Sequence, residues 1–364
     1  ATMLLGDLGA DVVKVERPGA GDDTRGWGPP FANDGAGDTG DTGDAVYYQS
    51  INRNKRSVAW DLGAPGDAAS ARALALRADV LIENFRPGTL DRYGLGYDSM
   101  RDANPGLVYC SVTGFGSGAG AGLPGYDLLV QAMGGLMSVT GPEPGAPTKA
   151  GVALVDVLTG LHATVGILGA LQHRSRTGAG QRVEVNLLSA LLSSMVNQST
   201  TYAATGQVPG IMGHRHPSLT PYETDSAADG PIVLAVGNDA QFAALCQGLG
   251  VAALAADARF ATNPARVAHR GELTATLAPR LAERPAAEWF EVLTPLGVPS
   301  GPVNDLSQAF ELADRLGLAP RVDVGGVGLV ANPLTYSATP VGYRRPPPGL
   351  GQHTAEVEAW LGDG

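Results

Sequence analysis

The chain has 364 residues with 51 Gly and 26 Pro, about a fifth of all positions against roughly 12% in an average protein. Its 44% hydrophobic content supports packed cores and Gly shows no three-residue period, so wholesale disorder and collagen are both excluded. A net charge of −11 leaves no broad basic face for duplex nucleic acid, and the length predicts two domains.

Two distant cysteines, Cys110 and Cys246, lack metal-ligand spacing and read as buried thiols of a reducing cytoplasm. No uninterrupted apolar run approaches the ~20 residues of a membrane span. Positive charge is scarce and uneven, because Lys14, Lys55 and Lys149 are the lysines and the remaining basic residues are arginines. An anion must therefore be met by a local cluster.

In chain order, residues 1–9 read as the back half of a helix ending in glycine, an opening that suggests an initiating strand before residue 1. Ala10–Glu16 alternates as a strand and Arg17-Pro-Gly19 stops it. The Gly/Asp tract 34–44 reads as a surface loop, lacking the closing carboxylate of a calcium loop. Residues 57–62, 79–83 and 107–112 read as strands, with an Ala/Arg-rich helix over 66–77. Strands alternating with helices at this spacing predict βαβ units and a parallel sheet. Two long apolar helices are expected over 152–174 and 183–205, separated by Thr177-Gly-Ala-Gly180. A strand follows at 231–236, then Ala-rich helices over 238–315 that mark a smaller domain. Short strands fill 322–341, and a helix closes the chain from Thr354.

The run Gly114–Gly125 holds one GxGxxG match at Gly120, Gly122 and Gly125. Pro124 stands where a phosphate-binding helix would begin, so a loop over a site is the better reading. Basic loops are more informative. Asn52-Arg-Asn-Lys-Arg56 precedes one strand, and Asn84-Phe-Arg-Pro-Gly88 with Arg92 follows another. Arginines and amides at strand ends suit phosphates, and Phe85 can cover an apolar group. Asp156 stands alone among apolar and small neighbours in Ala150–Leu161. Burying such an anion costs several kcal/mol unless it is paired or needed. Two readings stay open at this level: a functional carboxylate, or one satisfied by the free amides of its own helix start. His214 and His216 have no third ligand nearby, so no metal is expected, and no G-x-S-x-G elbow is present.

These residues carry a resemblance that covers essentially the whole chain. Gly9–Gly19, Asn54–Val58, Glu83–Gly88 and Gly151–Asp156 with Thr159-Gly160 recur in this order in the family III CoA-transferases. So do Thr177–Gln181, His216-Pro217 before Pro221-Tyr222, and the closing Gly351–Thr354. The resemblance implies an α/β fold: a large Rossmann-like domain with a parallel sheet, a smaller α+β domain, and two ring-like subunits interlocked as a homodimer. The expected large domain is discontinuous, 1–190 with 330–364, followed by linkers at 191–219 and 313–329 around a small domain at 220–312. No permanent cofactor is implied; coenzyme A and acyl-CoA are substrates.

Carried over by position, Asp156 resembles the catalytic aspartate of the family. Arg17, Asn84, Phe85, Arg92 and Lys55 are the expected CoA contacts, with the arginines on phosphates and Phe85 on the adenine or pantetheine. Gly134, Gly135 and Tyr126 are the expected oxyanion and substrate loop. The related α-methylacyl-CoA racemase needs a histidine where this chain has Tyr126, and tyrosine, which ionises near 10 in water, is a poor base at neutral pH. Transfer of CoA between two carboxylic acids is therefore the leading expectation, with a racemase and a non-catalytic CoA-binding protein as alternatives. The family's first strand and small-residue loop would precede residue 1. A lysine used for CoA in the formyl-CoA transferase members falls near Gly63, and the glycine-rich lid of those members has no strong counterpart around Val236–Asp239.

Overall fold

A computed structural model describes residues 1–32 and 43–362, so most of the Gly/Asp tract expected as a loop lies outside the described residues. The elements run α1 (Thr2–Asp7), β1 (Val12–Glu16), α2 (Val46–Asn52), β2 (Lys55–Ala59), α3 (Pro65–Arg77), β3 (Val80–Glu83), α4 (Tyr97–Ala103), β4 (Val108–Thr113) and α5 (Asp127–Met133). They continue with α6 (Leu136–Val139), α7 (Leu154–Thr177), β5 (Arg182–Asn186), α8 (Leu187–Ser194), α9 (Val196–Thr205), β6 (Tyr222–Ser226), β7 (Pro231–Ala235) and α10 (Asp239–Gly248). Then come α11 (Asn263–Ala268), α12 (Arg270–Leu281), α13 (Ala286–Leu293), β8 (Ser300–Pro302), α14 (Leu306–Arg315), β9 (Arg321–Val324), β10 (Val327–Val330) and α15 (Thr354–Gly362).

Contacts divide the chain into two units, 1–134 with 151–200 and 316–364, and 135–150 with 201–315. Residues 135–150, expected with the large domain, fall in the second. In the first unit β1 pairs parallel with β2, and β3, β4 and β5 form a parallel three-stranded sheet. Parallel neighbours need long crossovers, which the intervening helices supply. One core joins Val58, Trp60, Ala71, Ala75, Met100, Tyr109 and Val357. A second packs Val108 and Cys110 of β4 against Ala163, Ile167 and Ala170 of α7. In the second unit β6, β7 and β8 form an antiparallel sheet, and its core gathers Ile232, Leu234, Phe242, Leu277, Trp289 and Leu293.

The strand readings at 10–16, 79–83, 107–112 and 231–236 and the helices at 66–77 and 152–174 match β1, β3, β4, β7, α3 and α7 within a few residues. The reading of 183–205 as one helix does not. Its first part is β5, the third strand of the sheet, and Asn186 then caps α8 by accepting from the Ser189 amide at 2.8 Å. Backbone pairing with β4 decides the matter, and local hydrophobicity does not record it.

α7 ends at Gly178, whose φ of +75° closes the helix in a conformation other residues rarely adopt. By length and composition α7 is also apolar enough to cross a membrane, despite the polar residues that break its apolar run. One face, Thr159, Ala163 and Ile167, is buried, whereas Val157, Leu161, Val165 and Leu168 on the other are exposed.

The end of the chain returns to β2. Asn54 takes a φ of +61°, and its side chain bonds Asp7, the Gly342 carbonyl and the Arg344 amide. The Gly351 amide reaches the Ser57 hydroxyl and the Ala59 amide reaches Thr354 Oγ1. The basic run 52–56 is thereby turned inward. Arg53 pairs with buried Asp7 at 2.6 Å, and Arg56 pairs with Asp11 and Glu356.

Candidate active site

The loops that follow β1 and β3 carry most of the expected CoA contacts, at the carboxyl ends of parallel strands. Arg17 is exposed and held by Asp23 at 2.5 Å. Asn84 and Phe85 follow β3 on the surface, where the Phe85 amide donates to Glu83 Oε2 at 2.8 Å. Arg92 is exposed in a 3₁₀ turn at Leu90–Tyr93 and makes no ion pair among the described residues. Lys55 departs from the expectation. It is buried in β2, its Nζ donates to Asn52 Oδ1 at 2.9 Å, and burial beside Lys14 pulls its pKa down to about 7. A surface phosphate contact is not open to it in this conformation.

The glycine run positions the next part of the site. Gly114 and Gly125 cross so closely that a Cβ on Gly114 would lie 2.4 Å from the Gly125 Cα. This pinch delivers the chain into α5 at Tyr126-Asp127, so Gly125 belongs to a backbone crossing and not to a dinucleotide loop. Tyr126 is 65% exposed. Gly134 ends α5 and its amide donates to the Val130 carbonyl at 2.8 Å, so that N–H is already engaged and Gly134 is corrected from oxyanion donor to packing residue. A Cβ there would meet Leu191 Cδ2 at 2.6 Å. Gly135 opens the second unit at φ +87° and begins α6.

Asp156 stands in the first turn of α7. Ala153 at the N-cap offers no side-chain bond, and Asp127 takes its place: its Oδ1 accepts from the Val155 amide at 2.7 Å and the Asp156 amide at 3.2 Å. Asp127 Oδ2 accepts from Gln131 Nε2 at 2.5 Å, and Gln131 is buried. The Asp156 carboxylate accepts no hydrogen bond among the described residues. It is open to solvent on one side and crowded by protein on the other, and this partial desolvation together with the Asp127 charge pushes its pKa up to about 6. Tyr47 of α2 lies within reach of both charges, since desolvation and the Asp156 and Asp127 carboxylates raise its pKa. Its ring meets Trp27 edge-on at 5.2 Å, and both are partly exposed.

Of the expected residues, Asp156 and Tyr126 flank the Asp127 cap, while Arg17, Asn84, Phe85 and Arg92 lie on strand-end loops. Asp127, Gln131, Tyr47 and Trp27 were not singled out from sequence. Asp127 acts through amides 28 residues away, and only its place after Gly125-Tyr126 could have flagged it. Among the described residues no group of three His, Cys, Asp or Glu side chains is placed to hold a metal ion.

Comparison with known proteins agrees in fold and sequence. The family model for CoA-transferase family III matches residues 1–354. A succinate–glutarate CoA-transferase of Agrobacterium fabrum is 43% identical over 367 residues, 99% of this chain and 91% of that protein. A succinyl-CoA:glutarate CoA-transferase of Mus musculus is 40% identical over 98% of this chain and 81% of its own. A crystal structure of a CaiB/BaiF family protein from Brucella suis superposes with a TM-score of 0.86 at 42% identity, covering 99% and 94% of the two chains.

Proposed function

This chain belongs to CoA-transferase family III, and we propose that within it the enzyme moves CoA from the thioester of one dicarboxylic acid to a second dicarboxylate, with Asp156 as nucleophile. The observation that carries this reading is the Asp156 carboxylate itself: half-crowded, unbonded, and still ionised at neutral pH with a pKa of about 6. A purely structural carboxylate in that first turn would hold the Val155 and Asp156 amides, which Asp127 holds instead.

An Asp156 oxygen attacks the thioester carbonyl, the C–S bond breaks, and CoA leaves as thiolate with an acyl-aspartyl anhydride behind it. The thiolate attacks the aspartyl carbonyl and releases the first acid as its carboxylate, leaving an aspartyl-CoA thioester. The acceptor carboxylate displaces the thiolate to form a second anhydride. Thiolate attack on the acceptor's carbonyl then frees Asp156 and the new CoA ester. No net proton is consumed, which suits a site without a dedicated general base. Arg17 and Arg92 serve the CoA phosphates, and Phe85 covers its adenine or pantetheine. The dicarboxylate assignment follows the two named relatives, which act on succinate and glutarate.

The exposed apolar row Val157, Leu161, Val165 and Leu168 of α7 supports a homodimer, with a second copy covering it. Cys110 and Cys246 are both free and buried, in keeping with a cytoplasmic enzyme.

The test is to incubate the protein with succinyl-CoA and hydroxylamine and to map the adducts by mass spectrometry. A hydroxamate on the peptide carrying Asp156, together with CoA transfer to a panel of two- to six-carbon dicarboxylates, is the expected result. No adduct, with full turnover in Asp156→Ala, rejects the nucleophile. Exchange of the substrate α-hydrogen with solvent deuterium, without an acceptor acid, would favour the racemase reaction.

A further inference from the structure

α7 begins without a cap of its own. Ala153 occupies the N-cap, and Val155 and Asp156 are the second and third helical residues, whose amides an N-cap side chain normally takes. A carboxylate in the first turn is drawn to the free amides and the positive end of its own helix. Asp156 therefore has a local resting place on the free amides of its own helix, and a carboxylate resting there has its lone pairs engaged. It is kept out of that place by a residue from another helix, Asp127, which accepts both amides through Oδ1. Asp127 is itself oriented by buried Gln131, one turn along α5, whose Nε2 holds Oδ2 and lies 3.5 Å from the Val152 carbonyl just before α7. One aspartate cap on a helix is ordinary. An aspartate cap brought in across the fold, at a helix start whose third residue is the unbonded carboxylate, is not required for helix stability alone, since a serine or asparagine at 153 would serve.

We propose that Asp127 is a positioning residue for Asp156: by holding the Val155 and Asp156 amides it denies them to the Asp156 carboxylate and leaves that carboxylate free to attack. The inference rests on Asp156 as nucleophile. A secondary effect follows from charge. The titratable groups whose fields reach Asp156 are Asp127 on α5 and Tyr47 on α2, and the Asp127 charge adds to desolvation in raising the Asp156 pKa. A more basic carboxylate is a better nucleophile while it stays ionised at neutral pH.

Asp127→Ala and Asp127→Asn separate the two contributions. Alanine frees the amides. We expect kcat to fall about 100-fold, with KM for succinyl-CoA little changed, as a nucleophile is withdrawn from attack geometry. A crystal structure of this variant should find an Asp156 oxygen about 3 Å from the Val155 or Asp156 amide. Asparagine still offers an oxygen to both amides, and its amide nitrogen can donate to Gln131 once that side chain turns over. It should keep kcat within about threefold while the acid limb of the pH–rate profile moves to lower pH, because the negative neighbour is gone.

Alanine with near-normal kcat overturns the proposal, and so does asparagine as damaged as alanine. Should the alanine variant fail to fold, the asparagine variant decides: kcat retained with a lowered acid limb supports positioning, and a 100-fold loss rejects it. Hydroxylamine trapping in the unmodified protein keeps the outcomes distinct. A missing adduct at Asp156 removes the nucleophile and the positioning role together, whereas a normal adduct with an unimpaired alanine variant removes the positioning role alone.

Discussion

Glu16 at the end of β1 accepts two bonds from Arg25, at 2.8 Å each, one from the Ser57 hydroxyl at 2.6 Å and one from the Asp22 amide. Asp156 at the start of α7 accepts none among the described residues. Both are acids of the first unit, and burial works against the anion at each. At Glu16 the hydrogen bonds outweigh burial and hold the pKa below the usual glutamate range; at Asp156 nothing offsets it and the pKa rises to about 6. The difference separates a carboxylate that builds the fold from one left without a hydrogen-bond donor among the described residues. Arg25 completes the first kind of site, since it also reaches the Tyr48 hydroxyl at 2.6 Å and the Pro348 carbonyl at 3.1 Å.

Asp156→Asn should lose about 10,000-fold or more in kcat for CoA transfer, measured by product mass, while circular dichroism stays unchanged. Glu16→Gln should instead leave the chemistry intact in the molecules that fold, and cost about 3–5 kcal/mol of stability by urea titration, because Arg25 is left without its main buried partner. Activity retained by the first variant, or stability retained by the second, erases the distinction.

Solution pH sharpens the same contrast. The acid limb of the pH–rate profile should have its midpoint near 6, where Asp156 protonates, well above the limb an ordinary aspartate would set. The linkage to stability runs in opposite directions at the two residues. The Glu16 pKa is lowered on folding, so its stabilisation is present above the unfolded value and is lost as pH falls through the folded one. The Asp156 pKa is raised, so ionising it weakens the fold as pH climbs through about 6. Smaller effects belong to the strand-end loops, where Arg92→Gln and Phe85→Ala should each raise KM for acyl-CoA by about fivefold with kcat little changed. Smallest is a thermal shift: Asp156→Asn should melt slightly above the parent protein at pH 7.5, and the gain should vanish by pH 4.

Why some of this could be read from sequence, and some not, follows from the range of the forces involved. β1, β3 and β4 alternate or run apolar between turn residues, and α3 has Pro65 at its start, so local patterns decide them. Asp156 stood out because a charge in an apolar stretch is costly wherever it folds. Residues 182–186 look like the beginning of an apolar helix until β4 supplies five partners. Arg53, Lys55 and Arg56 look like a solvated basic loop because Asp7, Asp11 and Glu356, which draw the arginines inward, come from elsewhere in the chain. The Asp127 cap was hidden for the same reason, since a carboxylate that serves backbone amides leaves no pattern of side chains behind.

The return of the chain end to β2 also sets a schedule for synthesis. When residues 201–315 have left the ribosome, the second unit has nearly all of its own core, but Asn54 still waits for the backbone at 342–345 and Ser57 for Gly351 and His353. The inserted unit is therefore expected to be able to close first, because the unit that holds Asp156 takes its last hydrogen bonds from the final tenth of the chain. Asp156 is thus made long before the segment that locks β2.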